Sequence, residues 1–202
     1  MTYRSAHHAV ICAFVDHARP GHSSWQDIYD PRHDRKARGD AMLRDPDAPP
    51  PSLFRSTLHG MEEIAGEAAI VWKHLLRLND TRAATLILRC CPPTLPRSSY
   101  NAPMIPHPAY EGAMKLLTDE SACAVSGLSH YRARREAIKR ATGGVISIKS
   151  TAERCEVHPR TVSRLVEAIT QWEKAIEEQA WAEITDRLET AGLIERETTV
   201  AA

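Results

Sequence analysis

Between Pro159 and Gly192 the chain holds no residue that breaks a helix. Apolar side chains recur there at Val162, Leu165, Val166, Ile169, Trp172, Ile176, Ala180, Ile184 and Leu188, mostly three or four residues apart, the spacing of one helix face. From Pro159 to Ala191 such a helix spans about 50 Å. That is longer than a small domain needs, so the stripe must find a cover. Either the helices of residues 57–125 supply it, or a second copy of the chain does in a homodimer. The spacing is not a strict heptad, which disfavours a regular coiled coil. Trp172 and Trp181 read as core or interface residues.

The rest of the chain also reads as all-α, a helical bundle preceded by an irregular arm. Its 202 residues suit one or two domains. With two Phe, four Trp and five Tyr, the core must be mostly aliphatic. Three zones are expected. Residues 1–56 form an irregular, Pro-rich arm, with a short helix from His7 to His17 and with Trp25 and Tyr29 as anchors. Breakers such as Asp30-Pro31 and Pro49-Pro50-Pro51 interrupt anything longer. Residues 57–125 are helical, with Met61, Ile64, Ala65, Ala68, Val71, Trp72 and Leu75 on one face. Asn79 or Asp80 caps a helix over Thr81 to Cys90, and the prolines of 92–108 force an extended loop. A helix near Tyr110 to Leu117 follows, and Thr118 or Asp119 caps another. Residues 126–202 hold a basic helix from Ser126 to Thr142, stopped by Gly143-Gly144, then the long final helix.

The stretch before that final helix carries the main motif. Ser150 and Glu153 have capping-box spacing, so a short helix can start there. Ala152 is small enough for a crossing helix to come close. His158 can cap the next helix, with Pro159 at its first position, where a missing N–H costs little. Val162, Leu165 and Val166 supply its inward face. The stretch resembles a helix-turn-helix, and Glu156 stands at the turn where that family usually places Gly, the residue that favours a left-handed backbone.

Charge is segregated along a chain whose formal net charge is zero, with 26 basic and 26 acidic side chains. That balance excludes a uniformly basic nucleic-acid binder. Yet residues 127–164 hold nine bases against three acids, and 173–197 hold eight acids against three bases. A basic block thus contains the motif, which is what phosphate contacts require. The candidate DNA-binding residues are His158, Arg160, Thr161, Ser163 and Arg164 at the start of the final helix, with Lys149, Arg154, Arg132 and Arg135 around them. The amides of that helix start would add an anion site. Arg132, Arg134 and Arg135 are equally readable as a solvated helix face.

Residues 146–167 resemble a helix-turn-helix, with Ala152, Val157 and Val162 at that family's small and apolar positions. The segment Ile70–Arg89 followed by this motif is similar in layout to sigma-region-4-like proteins, among them the phage late-gene antiterminators of the Q type. The resemblance implies a DNA-binding transcription regulator of a phage or bacterium. Its partners would be double-stranded DNA and RNA polymerase, the latter facing the arm or the acidic tail. The alternative is a helical protein-interaction or inhibitor module without DNA binding.

Enzymatic chemistry finds little support. Phosphate loops, nucleophile elbows and zinc-protease motifs are missing, so no cofactor and no catalytic residue is expected. His7, His8, Cys12 and His17 fall within a few turns but lack the paired spacing of a zinc site. The Asp and His residues of 16–34 are the remaining candidates for metal-dependent chemistry. Cys90 and Cys91 read as structural thiols. Five cysteines without a Cys-x-x-Cys pair suit a reducing cytoplasm. No apolar run approaches the roughly 18 residues of a membrane span, and the start lacks a signal-peptide pattern.

Overall fold

The structure, a computed structural model, describes residues 3–17, 67–94, 106–127 and 129–194. These residues form seven helices and no strand, an all-α fold. The helices are α1 (Ala6–His17), α2 (Glu67–Leu76), α3 (Asp80–Cys90), α4 (Pro108–Ala124), α5 (Tyr131–Ala141), α6 (Ile148–Arg154) and α7 (Pro159–Thr190). None is long and apolar enough to cross a membrane. The expectations for Trp25, Tyr29, the Pro triplet, His22 to Asp34 and the face from Met61 to Ala65 lie outside the described residues. So do Glu195, Arg196 and Glu197 of the acidic tail.

The 32 residues of α7 are the beam of the structure. It packs on α5, α3, α6, α2 and α1. Val162, Leu165, Ile169, Ala180, Ile184 and Leu188 are buried within the chain, so these positions are covered by the chain itself. The stripe differs from the expected one at its middle. Trp172 and Ile176 are only partly buried, and Glu173 lies fully inside between them. The reason is a cation supplied by α3: Arg89 Nη2 reaches Glu173 Oε2 at 3.2 Å and Glu177 Oε2 at 2.6 Å.

One buried cluster draws on all three sequence zones, from Ala6 to Ile194. It is mostly aliphatic. The large aromatics in it, Phe14 of α1 and Trp72 of α2, meet edge to face at 4.6 Å. The helix expected at 7–17 is therefore a core element rather than part of an arm. Its start is pinned to the end of α7, where Tyr3 N donates to Leu193 O at 2.8 Å.

Local signals explain most helix ends. Asn79 caps α3 by accepting from Thr81 N at 2.8 Å. α4 departs from expectation. It is one helix of 17 residues, entered through Pro108 at its first position. Thr118 does not cap a new helix, because its hydroxyl donates back to Met114 O and lets the backbone run on. α5 starts later than expected, at Tyr131, and ends at the two glycines. Gly143 takes φ of +96°, while a Cβ on Gly144 would come within 2.7 Å of the Lys139 carbonyl. One glycine serves the conformation, the other the close approach.

Candidate nucleic-acid interface

The bend expected near residue 156 is present. α6 has seven residues and is capped by Ser147, whose hydroxyl accepts from Ser150 N at 3.3 Å. The cap thus falls three residues before the expected Ser150, and the Ser150–Glu153 box is not used. Ala152 and Thr151 are buried where α6 meets its neighbours. At the far end Val157 N returns to Ala152 O at 3.0 Å and Glu156 N to Glu153 O at 3.3 Å. These closing bonds demand a left-handed residue, and Glu156 takes it with φ of 55°. Among the described residues, no other non-glycine has positive φ.

α7 then begins at Pro159. His158 Nδ1 accepts from Arg160 N at 3.1 Å, so the neutral ring carries its hydrogen on Nε2. Thr161 N and Val162 N both donate to the His158 carbonyl, and Pro159 has no N–H. The first amides of α7 are thus satisfied within the protein. The expected anion site of free N–H groups is not there, and any phosphate contact must come from side chains.

Those side chains are accessible. His158, Arg160, Thr161, Ser163 and Arg164 are exposed, while Val162 and Leu165 between them are buried. The helix period produces this division: the buried pair anchors the first two turns and leaves the polar set outward. Lys149 and Arg132 are exposed, as are Lys139 and Arg140. Among the described residues, Arg132, Lys149, Arg160 and Arg164 have no acidic partner within 4.0 Å.

Three other arginines of the block are committed elsewhere. Arg135 Nη2 lies 2.6 Å from Glu111 Oε2 on α4. Arg154 bonds its own helix at Ser150 O, with Glu136 at 3.7 Å. Arg134 is not on a solvated face at all. It is buried, and its guanidinium donates to Ser121 O and Val125 O at the end of α4. The free positive surface is therefore smaller than the residue count of 127–164 suggests.

Compared with protein-family models, curated proteins and solved structures, the chain matches none.

Other chemistry-bearing groups do not converge. Among the described residues no three of His, Cys, Asp or Glu gather where they could hold a metal ion. His7 instead stacks on Trp181, ring centres 4.3 Å apart. Burial pushes the Cys90 thiol up to about 12 and raises that of Cys91 further, so both stay protonated and poorly nucleophilic.

Proposed function

We propose that this protein binds double-stranded DNA with α6 and the start of α7, as a transcription regulator in the cytoplasm of a bacterial cell. The observation that carries the reading is the exposed set His158, Arg160, Thr161, Ser163 and Arg164 on a helix start held rigid by its cap and by the turn at Glu156. A major groove admits such a helix, and arginines one turn apart can reach base edges or phosphates. Lys149 and Arg132 extend the positive surface beside it. The similarity in layout to phage antiterminators of the Q type supports RNA polymerase as the protein partner.

The test is fluorescence anisotropy on duplex DNA over a salt series, with Arg160→Ala and Arg164→Ala singly and together. The double variant is expected to bind at least about tenfold more weakly. Its salt dependence should flatten by roughly 0.9 for each phosphate that is no longer neutralised, with unchanged helicity by circular dichroism. Binding that is unaltered at every salt concentration would remove the proposal. The closed amides of α7 favour a second reading, a protein-interaction module. It expects a stoichiometric protein complex and no salt-dependent DNA affinity.

A further inference from the structure

We propose that Glu173 is a proton-binding site through which α7 is seated on α3 more firmly in mildly acidic than in alkaline solution. The reading rests on the charge balance of a buried cluster and stands whether or not α7 reads DNA. Two carboxylates, Glu173 and Glu177, occupy successive turns of α7 and share one guanidinium nitrogen of Arg89. Glu177 is otherwise well served: its Oε2 takes the shorter bond to Arg89, and its Oε1 accepts from Trp181 Nε1 at 3.2 Å. Glu173 is fully buried, holds Arg89 by the longer bond only, and among the described residues its Oε1 has no hydrogen-bond partner. An ionised carboxylate with a bare buried oxygen is unfavourable. A proton removes the charge that the cluster leaves uncompensated.

Among the described residues, the surroundings supply no second cation. α3 contributes Arg89 and the protonated Cys90, and α7 contributes Glu177. On α5, Lys139 and Arg140 are exposed, and the turn at Gly143 approaches Arg89 without bringing a charge. On α6, Lys149, Glu153 and Arg154 are exposed, as are His7 and His8 on α1 and Lys73 on α2. His74 of α2 sits among Arg77, Arg187 and Lys73, toward the other end of α7. Burial accordingly pushes the Glu173 carboxyl up from 4.5 to about 7, with Arg89 opposing and Glu177 adding to the rise.

The sign of the linkage follows. Between those two values the folded chain holds a proton that the unfolded chain has released, so stability falls as pH rises through the window and levels off above it. Glu173 lies nine residues beyond Arg164 on the same helix, about 14 Å along the axis. The site therefore acts on the element that carries the exposed polar set.

The experiment compares thermal midpoints of the full chain and of Glu173→Gln between about pH 5 and pH 8, where the linkage operates. The neutral amide imitates the protonated acid. The variant is expected to gain several degrees on the native chain as pH rises; parallel curves would overturn the proposal. Carbon-13 NMR of glutamate-labelled native protein keeps the test decisive if that variant fails to fold. One Glu carboxyl should titrate near neutrality, and Glu177→Gln should lower its midpoint. All Glu carboxyls titrating in the ordinary acid range would refute the site.

Discussion

Val157 returns its backbone amide to the carbonyl of Ala152 at 3.0 Å, and the residue this bond encloses is Glu156. Two other helices close in the same way. Gly144 N reaches Lys139 O at 2.8 Å around Gly143, and Leu193 N reaches Leu188 O at 2.9 Å around Gly192. Glycine holds the left-handed position there, with φ of +96° and +70°. Of these three ends, only that of α6 asks this of a residue with a Cβ. The left-handed region costs such a residue roughly 1–2 kcal/mol, and glycine's greater freedom in the unfolded chain returns part of that. Glu156→Gly is therefore expected to stabilise the protein by about 1 kcal/mol in urea denaturation. A loss of stability would mean that the exposed Glu156 side chain contributes something the geometry does not reveal.

Arg134 is the second unusual commitment. Charged side chains are rarely buried without a partner, and this one is held by the last carbonyls of α4. A cation at a helix C-terminus also meets the negative end of its dipole. Arg134→Met would strip both carbonyls of a charged donor, at a cost of about 2–4 kcal/mol. Arg132→Ala, on the exposed side of the same helix, should change stability by no more than about 0.5 kcal/mol. Equal effects in chemical denaturation would contradict the structural role assigned to Arg134.

These two residues show where a sequence can be read and where it cannot. The turn at 156 was legible because its neighbours are local signals: a small Ala152, a capping His158 and Pro159 at the helix start. The stop at Gly143 and the cap at Asn79 are local in the same sense. Arg134 and Arg135 looked like their neighbour Arg132 because their partners, Ser121, Val125 and Glu111, belong to another helix and its end. Glu173 was hidden for that reason too, since Arg89 is 84 positions away. Thr118 misled through its chemistry. A hydroxyl that can cap a helix can equally bond backward inside one, and the choice depends on what buries it.

The Arg89 cluster should behave as a buried ion pair does. In alkaline solution, where Glu173 is ionised in the native chain, Arg89→Met leaves two carboxylates facing each other without their cation, one of them fully buried. Breaking such a pair from one side costs about 3–5 kcal/mol in a closed interior, and the partial exposure of Arg89 places the expectation at about 2–4 kcal/mol. Replacing Glu173 by Leu as well removes the stranded charge. The double variant Arg89→Met, Glu173→Leu is expected to recover most of the loss, since apolar side chains of similar volume often replace buried pairs without penalty. A double-mutant cycle by urea denaturation measures the coupling directly. Additive effects would show that the two side chains are not energetically linked.

The placement of α1 makes the last prediction. Phe14 is buried and packs edge to face on Trp72, with Ala9, Val10 and Ala13 filling the rest of the same helix face. A helix that merely lay on the bundle would lose little on truncation of one ring. A core helix would lose the transfer energy of the ring and gain a cavity against Trp72, together about 3–5 kcal/mol for Phe14→Ala. The loss should appear as a lower urea midpoint and an altered near-ultraviolet signal from Trp72. Because α7 is pinned to the chain start through Tyr3 and Leu193, the same substitution should also lower the unfolding midpoint reported by Trp181, on the α7 side of that hydrogen bond. Coincident midpoints from both probes would show that α1 and α7 unfold as one cooperative unit. A Trp181 signal unmoved by Phe14→Ala would separate them.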